Sequence, residues 1–448
     1  MCPGLVRQNT AAGDDGTCWL SGECLLAREV CGIGRAAAGT ERGALATMVY
    51  SRLLSAASSP RRAALAAACS ALLCMFGCGS DDSSSSHDHL LMSDGSVALT
   101  DGGAPASAAL PTNISGPLVL ASGQQAPFGI AIDGANVYWM NRGHDSTTNS
   151  KSPVSSTGAQ ILKCAIGGCD DKPTVLASDR QVGPGRSSPA ALVTDGQYVY
   201  WSDDTPAAGD AYGGLFKCSV GGCNGAPSKI GPTVWGLAVH AGRLYWTEFE
   251  ASVSSCEVTG CDTTLTSLWS AGLSPVAAGI AVDDSGAYWA TGATDSIRKC
   301  ALKGCDNMPT VLDPADTLSA DLRQVAIDSN NVYFADGNPL RLGMILMCPK
   351  SGCTGTPTVL AGGLSTPNSI ATDGVNVYWA ETGDSYVDGQ LIMNAGSIRK
   401  CAVTGCANAP TTIAQGNYPM GIAVDRRFVY WTVRGSSEND GRIMMAPK

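Results

Sequence analysis

The chain has little positive charge and only one long apolar run. It holds 29 Lys and Arg residues against 39 Asp and Glu residues, and from Cys78 onward 22 basic residues face 34 acidic ones, a net charge of −12. A surface with this balance disfavours nucleic acid and anionic lipid headgroups. The run at residues 63–76 is too short to span a bilayer as a mature helix, and no second apolar run is long enough to do so. The composition therefore argues against a nucleic-acid partner and limits membrane contact to an attached lipid.

The sequence is rich, by contrast, in one repeated phrase. A run similar to Gly-Ile-Ala-Val-Asp is followed about five residues later by an aromatic pair, and the phrase occurs seven times. The pairs begin at Tyr138, Tyr200, Tyr245, Tyr288, Tyr333, Tyr378 and Tyr430. Most steps between them lie close to 45 residues, which indicates stacked supersecondary units that bury their faces against one another.

Each repeat predicts four short strands. The Gly-Ile-Ala-Val-Asp run is the first strand, and the Asp-Gly that follows it in three repeats is a signal for a tight hairpin. The aromatic pair lies on the second strand, the third ends near a cysteine, and a run such as Pro-Thr-Val-Leu-Ala forms the fourth. Four-stranded antiparallel units at this spacing are typical of a β-propeller. Adjacent Tyr and Trp residues point to opposite faces of a strand, so each sheet offers one ring to the blade on either side.

The two ends of the repeat region complement each other. The seventh repeat stops after its third strand, and a segment similar to the missing fourth strand precedes the first repeat at Pro117 to Ser122. Pairing this segment with Ile443 to Met445 would close the ring and remove two exposed sheet edges. The sequence therefore predicts an all-β fold over 116–448: a single seven-bladed β-propeller whose N-terminal strand completes the last blade.

A signal-like segment precedes the propeller. Residues 48–77 have a basic start and an apolar run, and Gly77 stands before Cys78, as in a secretory signal. The run from Met75 to Cys78 resembles the bacterial lipobox, which implies cleavage before Cys78 and lipidation of that cysteine. Ordinary cleaved secretion is the alternative.

Two further segments flank this signal. Residues 78–115 are polar and rich in Gly and Ala, and they predict a flexible tether between the lipid and the propeller. Residues 1–47 have no interpretable pattern. We interpret them as a misassigned start that precedes the true one at Met48.

Twelve cysteines of the repeat region form six pairs with one spacing. The pairs are Cys164 and Cys169, Cys218 and Cys223, Cys256 and Cys261, Cys300 and Cys305, Cys348 and Cys353, and Cys401 and Cys406. Each pair brackets a four-residue turn between the third and fourth strands, where the Cα atoms are within reach of a disulfide. Zinc is the alternative, but a closed zinc site needs four ligands and each pair lies on its own blade. The spacing favours six disulfides, in agreement with an oxidising location outside the cytoplasm.

The aromatic pairs resemble known propeller repeats. Tyr200-Trp201-Ser202-Asp203 is similar to the YWTD repeat of lipoprotein-receptor propellers, and the segment from Pro419 to Asp425 resembles the NHL repeat. The chain as a whole is similar to bacterial, myxobacterial-type surface lipoproteins of unassigned activity. The resemblance implies a propeller, whereas the activities of such propellers range from receptor modules and scaffolds to lactonases and lyases.

Strand order predicts where a partner binds. The turns between strands 1 and 2 and between strands 3 and 4 belong to one face of the disc, which we name the disulfide face. The loops between strands 2 and 3 and the links between blades belong to the other, the long-loop face. These loops are long in repeats one, two and six, which with repeat seven are consecutive around a closed ring. We expect a partner on this side of the axial opening.

The residues that open the first strands are expected to surround the axial opening. The candidate ligand-binding residues at this ring are Phe128, Trp235, Arg323, Gln324, Asn368, Ser369 and Met420. Aromatic and polar side chains of this kind suit a sugar or a peptide, and the alternative is that Phe128 and Trp235 only plug the channel. The ring has no carboxylate and no histidine. The chemistry of metal-dependent propeller hydrolases does not carry over, and we predict no catalytic residue, metal or cofactor.

The remaining candidates have structural explanations. An aspartate recurs at the first turn of six repeats, and the turn itself accounts for it. His144 stands beside Asp145 in the long first loop, an arrangement compatible with acid–base chemistry, but an isolated loop histidine is more often only solvated.

The sequence leads to two functional hypotheses. The first is a monomeric, lipid-anchored binding or scaffold propeller on the bacterial envelope, at the outer membrane or cell surface, which engages a protein or a glycan. Its membrane contact would be made through the lipid on Cys78 alone. The alternative is an envelope hydrolase or lyase that acts on a carbohydrate or a lactone through the same face.

Overall fold

The computed structural model describes residues 114–145, 156–178, 191–203, 214–248, 252–270, 277–291, 296–313, 322–337, 342–387, 390–393, 396–435 and 439–448. The chain divides into two units, Met1–His87 and Asp88–Lys448, and all described residues belong to the second. The upstream segment, the signal, Cys78 and most of the tether lie outside the described residues. No helix among the described residues has the length and the apolar character of a membrane span.

The described residues form seven four-stranded sheets, which we number as blades 1 to 7. The first strand of the chain, β1 (Leu118–Gln124), belongs to the last blade. Blade 1 comprises β2 (Pro127–Ile132), β3 (Asn136–Asp145), β4 (Ser156–Ala165) and β5 (Thr174–Ser178); blade 2 comprises β6 (Leu192–Thr194), β7 (Tyr198–Asp203), β8 (Gly214–Ser219) and β9 (Ser228–Gly231). Blade 3 comprises β10 (Leu237–His240), β11 (Arg243–Glu248), β12 (Ser252–Glu257) and β13 (Thr266–Ser270).

The remaining blades follow the same order from inner to outer strand. Blade 4 comprises β14 (Ala277–Asp283), β15 (Gly286–Thr291), β16 (Ser296–Cys300) and β17 (Thr310–Val311); blade 5 comprises β18 (Leu322–Ile327), β19 (Asn331–Asp336), β20 (Gly343–Pro349) and β21 (Thr358–Leu364). Blade 6 comprises β22 (Pro367–Thr372), β23 (Asn376–Glu381), β26 (Gly396–Ala402) and β27 (Thr411–Gly416), with a separate hairpin of β24 (Asp384–Val387) and β25 (Gln390–Met393). Blade 7 comprises β28 (Pro419–Val424), β29 (Phe428–Val433), β30 (Gly441–Pro447) and β1.

The ring closes through the strand that precedes the first repeat. β1 pairs antiparallel with β30, with Leu118 opposite Met445, Val119 opposite Met444 and Ala121 opposite Ile443. The inner strands contact one another in sequence, and β2 contacts both β28 and β6. The predicted all-β, seven-bladed propeller with an N-terminal closing strand is confirmed.

Aromatic side chains fill the seven interfaces between blades. Each interface has its own cluster of buried apolar residues, which pairs the tyrosine of one blade with the tryptophan or phenylalanine of the next. In blade 1, Tyr138 packs toward blade 2 and Trp139 packs toward blade 7. Because aromatic rings bury about 150–250 Å² each, these pairs hold the blades together. The predicted use of both faces of the second strand is confirmed.

The recurring aspartate organises the first turn of each blade that carries the full motif. Asp133 Oδ1 accepts hydrogen bonds from the amides of Ala135 (2.9 Å) and Asn136 (2.7 Å), and Asp133 Oδ2 accepts one from the Tyr138 hydroxyl (2.6 Å). The same arrangement recurs in blades 2, 5, 6 and 7. Burial, together with the nearby carboxylate, raises the pKa of Tyr138, so that the hydroxyl remains a donor. The turn itself therefore accounts for the aspartates, as expected.

All six predicted disulfides form, at the hairpins between the third and fourth strands. Their Cα–Cα distances lie between 5.0 and 5.4 Å, inside the range that a disulfide spans. The bridges join Cys164 to Cys169, Cys218 to Cys223, Cys256 to Cys261, Cys300 to Cys305, Cys348 to Cys353, and Cys401 to Cys406. The predicted pairing is therefore confirmed for all twelve cysteines, and the zinc alternative is wrong.

The disulfide hairpins lie beside the first turns and against the neighbouring blade. The Ile166 amide of the first hairpin, for example, donates to the Ala135 carbonyl in the first turn of the same blade at 2.9 Å. The bridges also contact the preceding blade, where Cys169 Sγ lies 3.7 Å from the Leu120 carbonyl oxygen. The disulfides are thus on the same face as the first turns, as expected, and they brace neighbouring blades.

Candidate functional site

Two β-ribbons distinguish the long-loop face. The middle strands of blade 1 are ten residues long, against five to seven in the other blades, and their pairing continues to Asp145 opposite Ser156. In blade 6 the loop between the second and third strands folds into the β24–β25 hairpin. Blade 7 lies between these two blades in the ring. The two ribbons therefore flank blade 7 on the long-loop face.

The inner strands begin with β-bulges on this same face. The ladder to the second strand shifts register near the start of the inner strand in blades 1, 4, 5, 6 and 7. The bulged positions include five of the predicted ring residues: Phe128, Arg323, Gln324, Asn368 and Met420. A bulge takes residues out of the ladder and redirects their side chains. These residues therefore lie outside the regular pairing with the second strand, at the point where the blades converge.

Hydroxyl side chains satisfy the backbone groups that the bulges release. Thr432 Oγ1 accepts a hydrogen bond from the Gly421 amide (2.9 Å) and donates one to the Phe128 carbonyl of blade 1 (2.7 Å). Thr247 Oγ1 does the same between Gly236 (2.8 Å) and the Ala278 carbonyl of blade 4 (2.7 Å). The hydroxyl that follows the aromatic pair therefore joins the inner strands of neighbouring blades.

Sequence reasoning missed this joint. The sequence does carry a signal for it, the Ser or Thr that directly follows the tryptophan in blades 2, 3 and 7. In blade 2 the residue is Ser202, whose Oγ donates to the Val234 carbonyl at 2.6 Å.

Close contact between neighbouring inner strands explains why the residues next to the ring are small. A Cβ atom added to Gly236 would lie 2.7 Å from the Ala278 carbonyl oxygen, and one added to Gly279 would lie 2.8 Å from Gln324 Cα. Neither position has room for a side chain, because the next inner strand is in direct contact. The expected convergence of the first strands is confirmed at these two blades.

The apolar ring residues differ in exposure. Phe128 and Met420 are buried in one cluster, with 1% and 2% of their surface exposed. The guanidinium of Arg142 lies 3.7 Å above the Phe128 ring and covers it. Trp235, by contrast, is partly exposed.

Two polar ring residues link neighbouring inner strands. Gln324 Oε1 accepts from the Ile370 amide of blade 6 at 2.8 Å, and Ser369 Oγ accepts from the Ile422 amide of blade 7 at 3.1 Å. In blades 5 and 6 alanines, Ala335 and Ala380, stand where other blades carry the joining hydroxyl. Gln324 and Ser369 thus make the corresponding link from the inner strand itself.

Asn368 and Arg323 form the polar corner of the ring. Arg323 Nη1 donates to Asn368 Oδ1 at 3.1 Å across the boundary between blades 5 and 6. Arg323 is partly exposed, whereas Asn368 is 1% exposed. Asn368 Nδ2 is buried, and it has no hydrogen-bond partner among the described residues. The structure thus brings a buried amide donor next to a guanidinium at the axial end of the long-loop face.

Two buried carboxylates lie next to this corner. The sequence did not predict that they would be buried. Asp336 and Glu381 end the second strands of blades 5 and 6 and are 0% and 2% exposed. Glu381 accepts from the Trp379 indole (2.9 Å) and the Ser365 amide (3.1 Å), and it lies 3.3 Å from Arg399 Nε. Glu381 therefore has a packing role beside its tryptophan. Within the described ranges, no three His, Cys, Asp or Glu side chains gather as a metal site would require.

A cavity of about 470 Å³ lies away from the axis. It is lined by β1, the first disulfide hairpin and Arg442 of β30. Asp171 of the hairpin accepts hydrogen bonds from the amide and hydroxyl of Ser122, so its carboxylate fixes β1 to blade 1. These hydrogen bonds lower the pKa of Asp171. The cavity thus lies where β1 closes the ring, and none of the candidate ring residues lines it.

Comparison with known proteins identifies the fold and no family. No protein-family profile and no curated protein matches the chain. Among solved structures, the WD40 repeats of RRP9 align with a TM-score of 0.50 and 12% identity, and the WD40 propeller of Doa1 with 0.50 and 9%; each alignment covers 74% of this chain and 97% of the other. A PQQ-bound aldose sugar dehydrogenase from Streptomyces coelicolor aligns with a TM-score of 0.42 and 15% sequence identity, over 76% of this chain and 100% of the other. This likeness is too distant to indicate a shared activity. At these identities the likeness concerns the fold alone, and with the strand order it shows a seven-bladed β-propeller.

Proposed function

We propose that the chain is a lipid-anchored extracytoplasmic propeller of YWTD/NHL-like repeats that binds a protein or a glycan through its long-loop face. The observation that carries the proposal is the difference between the two faces. Propellers hold varied loops on a rigid scaffold, and binding residues concentrate on such loops. The function would be that of a binding or scaffold module.

The disulfide face is occupied by internal bonds. Its turns are closed by Asp–Tyr pairs and braced by six disulfides. Lysines add ties between blades: Lys448 pairs with Asp373, and Lys350 pairs with Asp283. These bonds tie the turns and hairpins of the disulfide face into the blades in nearly the same way around the ring.

The long-loop face differs from blade to blade. It carries the extended β3–β4 ribbon, the β24–β25 hairpin and the partly exposed Trp235 and Arg323. Differences of this kind are not needed to close a ring of equivalent blades, since blades 3 and 4 manage with short connections. A binding role accounts for them.

The disulfides and the signal-like segment support a location outside the cytoplasm. Disulfides persist in oxidising compartments, and Met75 to Cys78 resembles a lipobox. A lipid on Cys78 would place the propeller on the bacterial envelope at the end of the tether.

The experiment compares two valines of blade 6 on opposite faces. A photo-crosslinking amino acid replaces either Val387, in the β24–β25 hairpin, or Val375, which is 67% exposed in the first turn on the disulfide face. The full chain is produced in a bacterial host, the intact envelope is irradiated, and adducts are identified by mass spectrometry. A discrete adduct at Val387 without its counterpart at Val375 is the expected result. Equal or exclusive labelling at Val375 would refute the assignment of the binding face.

A further inference from the structure

The cavity of about 470 Å³ at the closing joint is open to solvent. Its lining comes from the closing strand β1, the first disulfide hairpin and the start of β30: Val119, Leu120, Ser122, residues 168–171 and Arg442. Val119 is 48% exposed, and Asp170, Asp171 and Arg442 are exposed as well. A ligand can therefore reach the apolar and the charged parts of this lining directly.

Charged side chains enter the cavity from two of these segments. β1 is bulged at Ser122 and Gly123, and Arg442 of β30 lies opposite the bulge. From the hairpin, Asp171 accepts hydrogen bonds from the amide and the hydroxyl of the same Ser122. The strand that carries the guanidinium and the acidic hairpin therefore meet at one residue of β1.

One carboxylate and one guanidinium of the lining are available to a ligand. Asp171 is committed to Ser122, and these hydrogen bonds lower its pKa, so it remains ionised. Within the described ranges, neither the Asp170 carboxylate nor the Arg442 guanidinium makes a hydrogen bond or an ion pair. A carboxylate accepts from an ammonium group, and a guanidinium donates two parallel hydrogen bonds to a carboxylate. Together they suit a ligand that carries both charges.

The repeat itself does not require these charges. Two acidic residues follow the second cysteine of the hairpin only in blade 1, at Asp170 and Asp171. In blades 4 and 6 the uncharged Asn307 and Asn408 make the corresponding bond to the preceding outer strand. Third strands that open with glycine continue with Leu, Met or Ser in blades 2, 5 and 6, and with Arg442 in blade 7. Blade folding therefore does not explain the charges, whereas a ligand does.

We infer that this cavity binds a free α-amino acid with an apolar side chain. Its ammonium group would lie against Asp170, its carboxylate against the Arg442 guanidinium, and its side chain on Val119 and Leu120. The volume of about 470 Å³ falls within the range of small-molecule sites. A peptide fits less well, because its backbone amides carry neither charge. The site is separate from the long-loop face and does not depend on the proposed function.

The probe is L-leucine, titrated into the purified full chain by isothermal titration calorimetry. N-acetyl-L-leucine lacks the ammonium charge, and L-leucinamide lacks the carboxylate. We expect each analogue to bind about fivefold to tenfold more weakly than L-leucine, because each loses one charge-assisted contact at an exposed site. No binding of L-leucine at about 10 mM, or an analogue that binds as tightly as L-leucine, would overturn the inference.

Two substitutions that remove a charge assign the two ends of the ligand. Asp170→Asn should weaken L-leucine binding and remove the preference over N-acetyl-L-leucine, while the preference over L-leucinamide remains. Arg442→Gln should do the reverse. Asp306→Asn is the matched control, since Asp306 follows the second cysteine in blade 4 with the same φ of 51° as Asp170 and does not line the cavity. Full affinity in both cavity variants, or an equal loss in the control, would contradict the assignment.

Hydrogen–deuterium exchange locates the bound ligand. Because the ligand would contact β1, L-leucine at about ten times its Kd should slow exchange in β1 by about tenfold. The control is the outer strand of blade 5, β21, which has the same length and burial pattern as β1 and should exchange at an unchanged rate. Protection of β21 without protection of β1 would refute the placement of the site.

Discussion

Removing one hydroxyl at the boundary between blades 7 and 1 tests how the inner strands are joined. Thr432 is fully buried, and its Oγ1 bonds both the Gly421 amide (2.9 Å) and the Phe128 carbonyl (2.7 Å). Thr432→Val keeps the side-chain shape and leaves both backbone groups without this partner. Since a buried polar group left unpaired costs about 1–3 kcal/mol, we expect the free energy of unfolding to fall by roughly 2–4 kcal/mol.

The assay is urea unfolding followed by tryptophan fluorescence. Thr432→Ser is the control, because it keeps the hydroxyl and loses one methyl group, a change of about 1 kcal/mol. Thr247→Val removes the equivalent joint between blades 3 and 4 and should behave like Thr432→Val. If Thr432→Val is as stable as Thr432→Ser, the hydroxyl does not join the inner strands and the account of the bulges is refuted.

Three further predictions concern separate parts of the chain. Gly279→Ala should destabilise the propeller in thermal unfolding, because the added Cβ would lie 2.8 Å from Gln324 Cα; an unchanged unfolding temperature would contradict this contact. Burial opposes ionisation of Asp373, but hydrogen bonds from Lys448 and the turn amides outweigh it and lower its pKa, so its contribution to stability is present above about pH 4 and is lost as the pH falls below that. Urea titrations between pH 3 and 6 should show that the free energy of unfolding falls less with decreasing pH in Asp373→Asn than in the unchanged chain. The same pH dependence in both chains would refute the prediction. Cys78→Ser should abolish palmitate labelling and release the chain from membranes, whereas persistent labelling would refute lipidation at this position.

Much of the fold could be predicted because its determinants are local and repeated. The spacing of the aromatic pairs predicts the blades, and the alternation of a strand predicts that Tyr138 and Trp139 face different neighbours. The likeness between the segment at Leu118 and other fourth strands predicts the closing pair with β30. The disulfides follow from hairpin geometry at a fixed spacing.

The candidate site was less predictable because it depends on contacts between blades. Whether Gln324 and Ser369 face a ligand or join strands is decided by amides about 46 and 53 residues further along the chain. The bulge that holds Phe128 leaves no mark in a single repeat, since the hydroxyl that bonds its carbonyl, Thr432 Oγ1, lies on another blade. The β24–β25 hairpin does have a local signal in the sequence, the Asp-Gly pair at 388–389, which is typical of a two-residue hairpin turn.

Disulfide trapping between the two ends of the propeller tests the central claim of ring closure most directly. Val119 and Met444 stand opposite each other in β1 and β30, so a chain with Val119→Cys and Met444→Cys should oxidise to an intramolecular bridge, found by mass spectrometry of the digested monomer. Val175→Cys with Met444→Cys is the control, because Val175 is the counterpart of Val119 in blade 1 and pairs with Leu162 instead. The account predicts the 119–444 bridge and no 175–444 bridge. Free thiols in the first variant, or bridges only between molecules, would contradict it.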